Sequence, residues 1–255
     1  VGHAVRATYL YAAMADIAAL KQKNSYTKAL HRIWADITDT RMHITGGLGA
    51  VHGIEGFGPQ YLLPNADAFN ETCAAVGNVL FNYRMFLVHQ DAKYLDVAEV
   101  SLLNNVLAAV NLEGNRFFYV NPLEADGKYP FNHGTAGRAP WFGTACCPSN
   151  MARLLPQVQG MTYAHNEENL YLAMYADTST SLKIAGTDLA INQTTDYPYD
   201  WNIKVSLKTI KQRTTQMMEK LRFLLLQKNH LALRFIFEFP LGQVINLYQG
   251  NFINI

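Results

Sequence analysis

The sequence has 255 residues, of which 49% are hydrophobic and 16% charged, and its 21 Lys and Arg against 20 Asp and Glu leave a formal net charge of +1 at pH 7. This composition is too apolar for a disordered chain, and the near-neutral balance provides no bulk field for nucleic acid. No apolar run approaches the ~20 residues of a membrane-spanning helix, because Asp16 interrupts the best early stretch. We therefore expect a folded protein without a nucleic-acid or membrane partner.

From residue 1 to about residue 165, apolar residues recur mainly at helical spacing. The segment at residues 73–88 has few polar positions, which predicts an inner helix. Two glycine-rich loops interrupt the helical pattern, and long loops on a helical scaffold usually carry function. The predicted helices are residues 9–21, 26–41, 73–88 and 94–110, and the glycine-rich loops are residues 46–58 and 134–143.

Beyond residue 165 the apolar period shortens to two, which is typical of short strands. We place a domain boundary near Asn166 and expect an all-β module over residues 166–209, either one sheet or an incomplete sandwich. The predicted strands are residues 169–176, 181–185, 189–193 and 201–209.

The last segment, residues 210–255, is an atypical tail whose architecture the pattern leaves unknown. Within it, residues 217–226 look helical and residues 231–239 look like a strand.

The chain starts at Val1 rather than at Met, and a helical pattern begins at once without a leader ahead of it. We therefore expect a fragment of a longer protein, with part of the core and of a site on a preceding segment. Localisation stays unknown: reduced thiols fit a cytoplasm, but a preceding segment would also hold any export signal.

The chain has only three cysteines, Cys73, Cys146 and Cys147, so they cannot all pair internally. A disulfide scaffold is therefore not expected. Cys146 and Cys147 stand where a helix is predicted to begin, with Pro148 suited to its first position. The positively polarised start of a helix favours thiolates.

Glu71 precedes Cys73 by two residues, and side chains at this spacing point the same way on extended backbone but diverge on a helix. The two can share a ligand only if the helix starts after Thr72. With the adjacent cysteines they would supply one carboxylate and three thiolates, a donor set that satisfies tetrahedral zinc. The spacing is not that of a zinc finger, so ordinary buried cysteines explain the pattern equally well.

Glu55 lies in the glycine-rich segment GIEGFG, where a loop can deliver a carboxyl group to a cleft as a general acid. A solvent-exposed loop glutamate is the alternative interpretation. Sugars are bound through aromatic rings and through hydrogen bonds from His and Tyr, although each such residue alone is more often part of a core. The residues considered for this role are His3, Tyr61, Tyr119 and Trp141.

Seven motifs occur in order between residues 2 and 150: GHAVRA, TGGLGA, EGFG, LPN, NETCAAVGN, FFYVNPLE and WFGTACCPSN. Together they resemble glycoside hydrolase family 127, the β-L-arabinofuranosidases. The resemblance covers about residues 1–165, and the strands to about residue 209 are similar to the start of that family's β-sandwich. Trp201 departs from the family, since glycine is expected there, and the sequence after Thr209 no longer resembles it.

The resemblance implies a multidomain α then β fold, in which residues 1–165 form the second half of an (α/α)6 toroid. It implies a retaining hydrolase that releases terminal β-L-arabinofuranosyl residues from an oligosaccharide or glycan, with zinc as cofactor. The implied zinc ligands are Glu71, Cys73, Cys146 and Cys147.

The resemblance also implies a role for each of four site residues. Cys146 is the implied nucleophile and Glu55 the implied general acid/base, while His3 and Tyr119 match positions that contact the sugar. Two alternatives stay open: a hydrolase of the same scaffold for another furanose or pectic sugar, and a non-catalytic zinc or carbohydrate-binding protein. A fragment without the first half of the toroid can itself be inactive, and the oligomeric state stays open, with a homo-oligomer possible.

Overall fold

The computed structural model describes residues 2–166, 169–184 and 186–210, together with the backbone of three later strands. The chain divides into two compact units, Val1–Gln157 and Val158–Ile255, so Asn166 belongs to the second unit. The predicted order of a helical region followed by small sheets is confirmed. Among the described residues, none of the helices combines the length and hydropathy that crossing a bilayer requires.

The first unit contains the four helices predicted from periodicity and a fifth that begins at the cysteine pair. The fourth helix continues into a π-helical turn at Leu102–Val106 and a 3-10 turn at Leu107–Ala109. The helices are α1 (Ala4–Lys21), α2 (Asn24–Thr40), α3 (Thr72–His89), α4 (Ala92–Ser101) and α5 (Cys146–Val158).

Helix α3 is the inner helix of this unit, with 13 of its 18 residues buried. Its small residues let α1 pack closely, because a Cβ on Gly77 would clash with the Thr8 hydroxyl oxygen. The polar groups on α3 find partners: Asn78 Nδ2 donates to Ser101 Oγ at 2.9 Å, and Asn82 Oδ1 accepts from Trp34 Nε1 at 2.7 Å. The prediction of an inner helix over residues 73–88 is confirmed, and the packing buries the start of α3.

The long connection between α4 and α5 is ordered by the fully buried side chain of Asn132. Its Oδ1 accepts from the backbone N–H groups of Tyr119 at 2.8 Å and Val120 at 3.2 Å. Its Nδ2 donates to the carbonyl oxygens of Phe117 at 3.1 Å and Gly137 at 2.9 Å. One amide therefore fixes the backbone around Tyr119.

We expect Asn132→Leu to destabilise the helical unit by about 3 kcal/mol or more, because four hydrogen bonds are lost and backbone groups stay buried without partners. The free energy of unfolding from denaturant titration measures the effect. The matched control is Asn115→Ala at an exposed turn, where a change within about 0.5 kcal/mol is expected. Equal losses in the two variants would contradict this role of Asn132.

The described residues of the second unit form two four-stranded sheets, with strand orders β1-β2-β6-β7 and β3-β4-β5-β8. All neighbours pair antiparallel except β2 and β6, which are parallel. The strands are β1 (Tyr163–His165), β2 (Asn169–Leu172), β3 (Thr178–Ile184), β4 (Thr187–Thr195), β5 (Ile203–Thr209), β6 (Leu221–Leu225), β7 (Phe235–Phe239) and β8 (Val244–Leu247).

Strands occur at all four places predicted before residue 210, although β2 ends at Leu172 rather than at residue 176. Strand β5 shows why they could be recognised. Its Ile203, Val205 and Leu207 are buried, while Lys204, between the first two, and Lys208, after the third, are exposed. Eight buried aliphatic residues of β2 to β5 form one apolar cluster. Strand β1 was not predicted, because three residues are too few to show a period.

The prediction of a helix at residues 217–226 is wrong for the described part of that segment, because Leu221–Leu225 is a strand. It pairs with β2 on one side and β7 on the other, and these backbone hydrogen bonds outweigh the local helix propensity. The strand expected within residues 231–239 is confirmed at Phe235–Phe239. The rest of the tail beyond Ile210, apart from Val244–Leu247, lies outside the described residues.

Candidate active site

The start of α3 places Glu71 and Cys73 side by side. Glu71 has extended backbone, with φ −59° and ψ 129°, and is held there by a β-bridge to Val120 and by the Thr72 N–H, which donates to the Tyr119 carbonyl at 3.0 Å. The helix begins at Thr72 rather than after it, so the expected boundary was one residue late. The side chains of Glu71 and Cys73 still lie close together, because the change from extended to helical backbone occurs directly after Glu71.

The start of α5 supplies the other two cysteines. The helix begins at Cys146, so both thiols lie in its first turn, as predicted. Pro148 occupies the third helical position rather than the first. Proline is tolerated there because backbone N–H groups of the first turn have no acceptor within the helix.

The two helix starts bring four donor side chains together. The sulfur of Cys147 lies 3.3 Å from that of Cys73 and 4.0 Å from that of Cys146. Oε1 of Glu71 lies 3.7 Å from the Cys146 sulfur and 3.8 Å from the Cys147 sulfur. One donor atom from each of the four residues lies within 4.8 Å of the others. Residues up to 76 positions apart therefore form one cluster.

This cluster fits a zinc ion. Ligand atoms at ~2.3 Å from a tetrahedral ion lie about 3.8 Å from one another, close to the separations in the cluster. Glu71 is only 2% exposed, and no described Lys or Arg forms an ion pair with it, so a cation would balance its charge. Asn150 Nδ2 donates to the Cys73 sulfur at 3.0 Å, a typical outer contact of a metal-bound thiolate.

Burial and mutual hydrogen bonding give the four side chains of the cluster different pKa values. Burial raises the pKa of Cys147, and hydrogen bonding with Cys146 raises the pKa of Cys73. Hydrogen bonds from Cys147 and Cys73 lower the pKa of Cys146 instead. Burial, reinforced by the Cys146 charge, raises the pKa of Glu71 to about 8. In the metal-free cluster Cys146 is therefore the most acidic of the three thiols, and it is also the least buried.

We expect zinc affinity to fall steeply on acidification from pH 8 to pH 6. The raised pKa values favour the protonated forms of Cys73 and Cys147, and Glu71, with a pKa of about 8, becomes increasingly protonated as the pH falls from 8 to 6. Zinc binding must displace these protons, at up to about one log unit of affinity per proton and pH unit. Competition with a chromophoric chelator measures the slope. Glu71→Gln should have a shallower slope, and an affinity independent of pH would contradict the proton count.

His3 and Glu55 lie close to the carboxylate of Glu71. The segment ahead of α1 pairs with the glycine-rich loop, since Ala4 N–H donates to the Glu55 carbonyl and Phe57 N–H to the Gly2 carbonyl, both at 3.0 Å. His3 Nε2 then lies 3.1 Å from Glu55 Oε2. The Glu55 side chain is 37% exposed, so it lies at the edge of solvent.

Glu55 is held in an unusual backbone conformation, with φ +48°. Left-handed backbone at a residue other than glycine is strained and persists only where surrounding contacts fix it. A donor atom each of His3, Glu55 and Glu71 lies within 4.8 Å of the other two. Glu71 thus borders both the thiol cluster and Glu55.

Tyr119 lines the cluster and is 5% exposed. Its side chain hydrogen-bonds with Cys146, and its pKa is raised by burial and by this bond. Its ring packs on that of His133 at 4.3 Å and on that of Phe142 at 5.6 Å between centroids. Tyr119 is therefore a rigid phenol beside the Cys146 sulfur.

Two of the aromatic residues considered for sugar contacts lie at the surface. Tyr61 is 72% exposed and Trp141 is 61% exposed, and the described contacts of the cluster include neither. Sequence reasoning missed Asn150 and His133. Asn150 could have been found from the sequence, since it follows Cys147 by three residues and therefore lies on the same face of the helix. No pattern in the sequence pointed to His133, because its position depends on a left-handed backbone conformation, with φ +50°.

Comparison with known proteins identifies the family. Residues 1–160 match the model of the β-L-arabinofuranosidase GH127 catalytic domain. The chain is 32% identical over 210 residues to the non-reducing end β-L-arabinofuranosidase of Bifidobacterium longum subsp. longum, covering 81% of this chain and 32% of that protein. The chain therefore belongs to the GH127 catalytic-domain family.

Two solved structures give the same result. A GH127 β-arabinofuranosidase is 43% identical with a TM-score of 0.80, covering 88% of this chain and 33% of its own. A GH127 β-L-arabinofuranosidase from Geobacillus stearothermophilus T6 is 31% identical with a TM-score of 0.86, covering 97% and 42%. The chain thus spans about a third to two fifths of the length of these relatives.

Proposed function

We propose that this chain carries the catalytic centre of a retaining glycoside hydrolase that releases terminal β-L-arabinofuranosyl residues from arabinose-containing oligosaccharides or glycans. The observation that carries the proposal is the convergence of three thiols and one buried carboxylate beside Glu55. Family membership and the printed activities of the relatives support the substrate class. In this proposal residues 1–165 form the second half of an (α/α)6 toroid, and the β unit begins a sandwich.

Glu71, Cys73, Cys146 and Cys147 would hold the zinc ion. When bound, zinc supplies positive charge that keeps cysteine sulfurs deprotonated at neutral pH. Two dipoles of the chain itself act on the same cluster: the positive end of α5 lies at Cys146, and the Asn150 amide donates to the Cys73 sulfur at 3.0 Å. Cys146 is the sulfur open to a substrate, since Cys147 is fully buried and Cys73 is 1% exposed.

In the first step the Cys146 sulfur attacks the anomeric carbon and the bond from that carbon to the aglycone oxygen breaks. Glu55 donates its carboxyl proton to the departing oxygen, which leaves as an alcohol. The product on the chain is a glycosyl thioether on Cys146. His3, at 3.1 Å from Glu55, orients the carboxyl group, and the Tyr119 phenol beside Cys146 is placed to hydrogen-bond with the sugar.

In the second step the Glu55 carboxylate takes a proton from water, and the water oxygen attacks the same carbon. The carbon–sulfur bond breaks, Cys146 leaves as a thiolate, and Glu55 regains its proton. Each step inverts the anomeric carbon, so the released arabinose retains the β configuration.

Proton NMR of the sugar released from an aryl β-L-arabinofuranoside tests the proposal. The first-formed product should be β-L-arabinofuranose, and the intact mass of the Glu55→Gln variant should rise by one arabinosyl group at Cys146 during turnover. Release of the α anomer, or an adduct on another residue, would overturn the assigned chemistry.

A further inference from the structure

We infer that His3, Glu55 and Glu71 form a second divalent-cation site, next to the thiol cluster and built from nitrogen and oxygen donors, which excess zinc or a similar first-row ion occupies. The inference goes beyond the proposed function, and rests on it only in treating Glu55 as the acid/base that a bound ion would block.

The geometry of the three side chains suits one ion. The imidazole of His3 and the two carboxylates each offer a donor atom within 4.8 Å of the other two. His3 and Glu55 are already in contact, with Nε2 3.1 Å from Oε2. The backbone pairing between the two segments fixes this approach, through Ala4 N–H to the Glu55 carbonyl at 3.0 Å. The site therefore needs little rearrangement to bind.

Glu71 gives independent evidence of a ligand. It is 2% exposed, and its Oε1 contacts the sulfurs of Cys146 and Cys147. Its Oε2 is buried and has no hydrogen-bond partner among the described residues. A buried carboxylate oxygen without a partner is costly, and a cation held together with His3 and Glu55 would satisfy it. Glu71 would then bridge two ions, one through each oxygen.

The two sites differ in donor type. The thiol cluster offers soft sulfur ligands, whereas one imidazole and two carboxylates are the donors of zinc, manganese and other first-row sites with open positions. The first ion therefore takes the sulfur cluster, and the second binds more weakly, with water on its open positions. A filled second site occupies the Glu55 carboxylate, so excess metal inhibits reversibly.

Metal stoichiometry tests the inference without any activity measurement. The zinc-loaded chain is dialysed against buffers of rising free Zn²⁺, and bound zinc is counted by elemental analysis. We expect two ions per chain at saturation, falling to one in both His3→Ala and Glu55→Gln. The matched control is His52→Ala, which breaks another His–carboxylate pair, His52 Nε2 to Asp67 Oδ1 at 3.3 Å, and should keep both ions.

Glu55→Gln preserves shape, so it keeps the test valid if His3→Ala fails to fold. Saturation of the wild-type chain at one ion would overturn the inference, as would a second ion that survives both substitutions. Failure of the proposed function has a different signature: the sulfur-bound first ion is absent, or zinc-loaded protein at low free metal gives no arabinose.

Discussion

Cys146→Ala is expected to lower kcat/KM for an aryl β-L-arabinofuranoside by about 10⁴-fold or more, because the only sulfur open to the substrate is removed and the covalent step cannot occur. Cys73, Cys147 and Glu71 stay in place, so the variant should still bind zinc, more weakly than the parent. Initial rates and zinc content on the same preparations separate loss of the nucleophile from loss of the metal.

Ser149→Ala is the matched control for this substitution. Ser149 lies on the same face of α5 as Cys146, and its Oγ donates only to the Ala145 carbonyl, at 2.7 Å. It should retain near-parental kcat/KM and zinc content. If Cys146→Ala turned over at the parental rate, the nucleophile would have to be another group and the mechanism would be wrong.

Glu55→Gln is expected to lower kcat by about 10² to 10⁴-fold, because the amide can neither protonate the leaving oxygen nor deprotonate water. The loss should be greatest for poor leaving groups, such as a second sugar, and smallest for 4-nitrophenol, which needs no proton. Added azide, which needs no general base, should restore turnover and yield the β-glycosyl azide.

Glu124→Gln, an exposed loop glutamate in the same unit, is the control and should behave like the parent. Zinc in the thiol cluster should persist in Glu55→Gln, since Glu55 is not one of its four donors. Equal losses for good and poor leaving groups, without azide rescue, would show that Glu55 acts structurally rather than in proton transfer.

Much of the site could be predicted from the sequence, because its parts are local. Cys146 and Cys147 are adjacent, and the start of their helix is visible from the apolar period that follows. Glu71 and Cys73 are two residues apart at another helix start. The ordered motifs then indicated that these two helix starts belong to one site. The structure adds that their donor atoms lie within 4.8 Å of one another.

The remaining parts could not be predicted, because contacts between distant segments decide them. The bond from Asn150 to the Cys73 sulfur depends on how α5 meets α3, and the bracing of Tyr119 by Asn132 depends on a folded loop. The strand at Leu221–Leu225 exists through its neighbours on both sides, which a local helical pattern does not reveal. The lack of a hydrogen-bond partner for Oε2 of Glu71 among the described residues likewise depends on how the helices pack.

X-ray absorption at the zinc edge of the chain loaded with one equivalent of zinc tests the central claim most directly. Coordination by Cys73, Cys146, Cys147 and Glu71 requires about three sulfur scatterers near ~2.3 Å and one oxygen near ~2.0 Å. A shell made only of nitrogen and oxygen would contradict it, because the zinc would then not be held by the thiols and Cys146 would lack the environment on which its proposed reactivity depends.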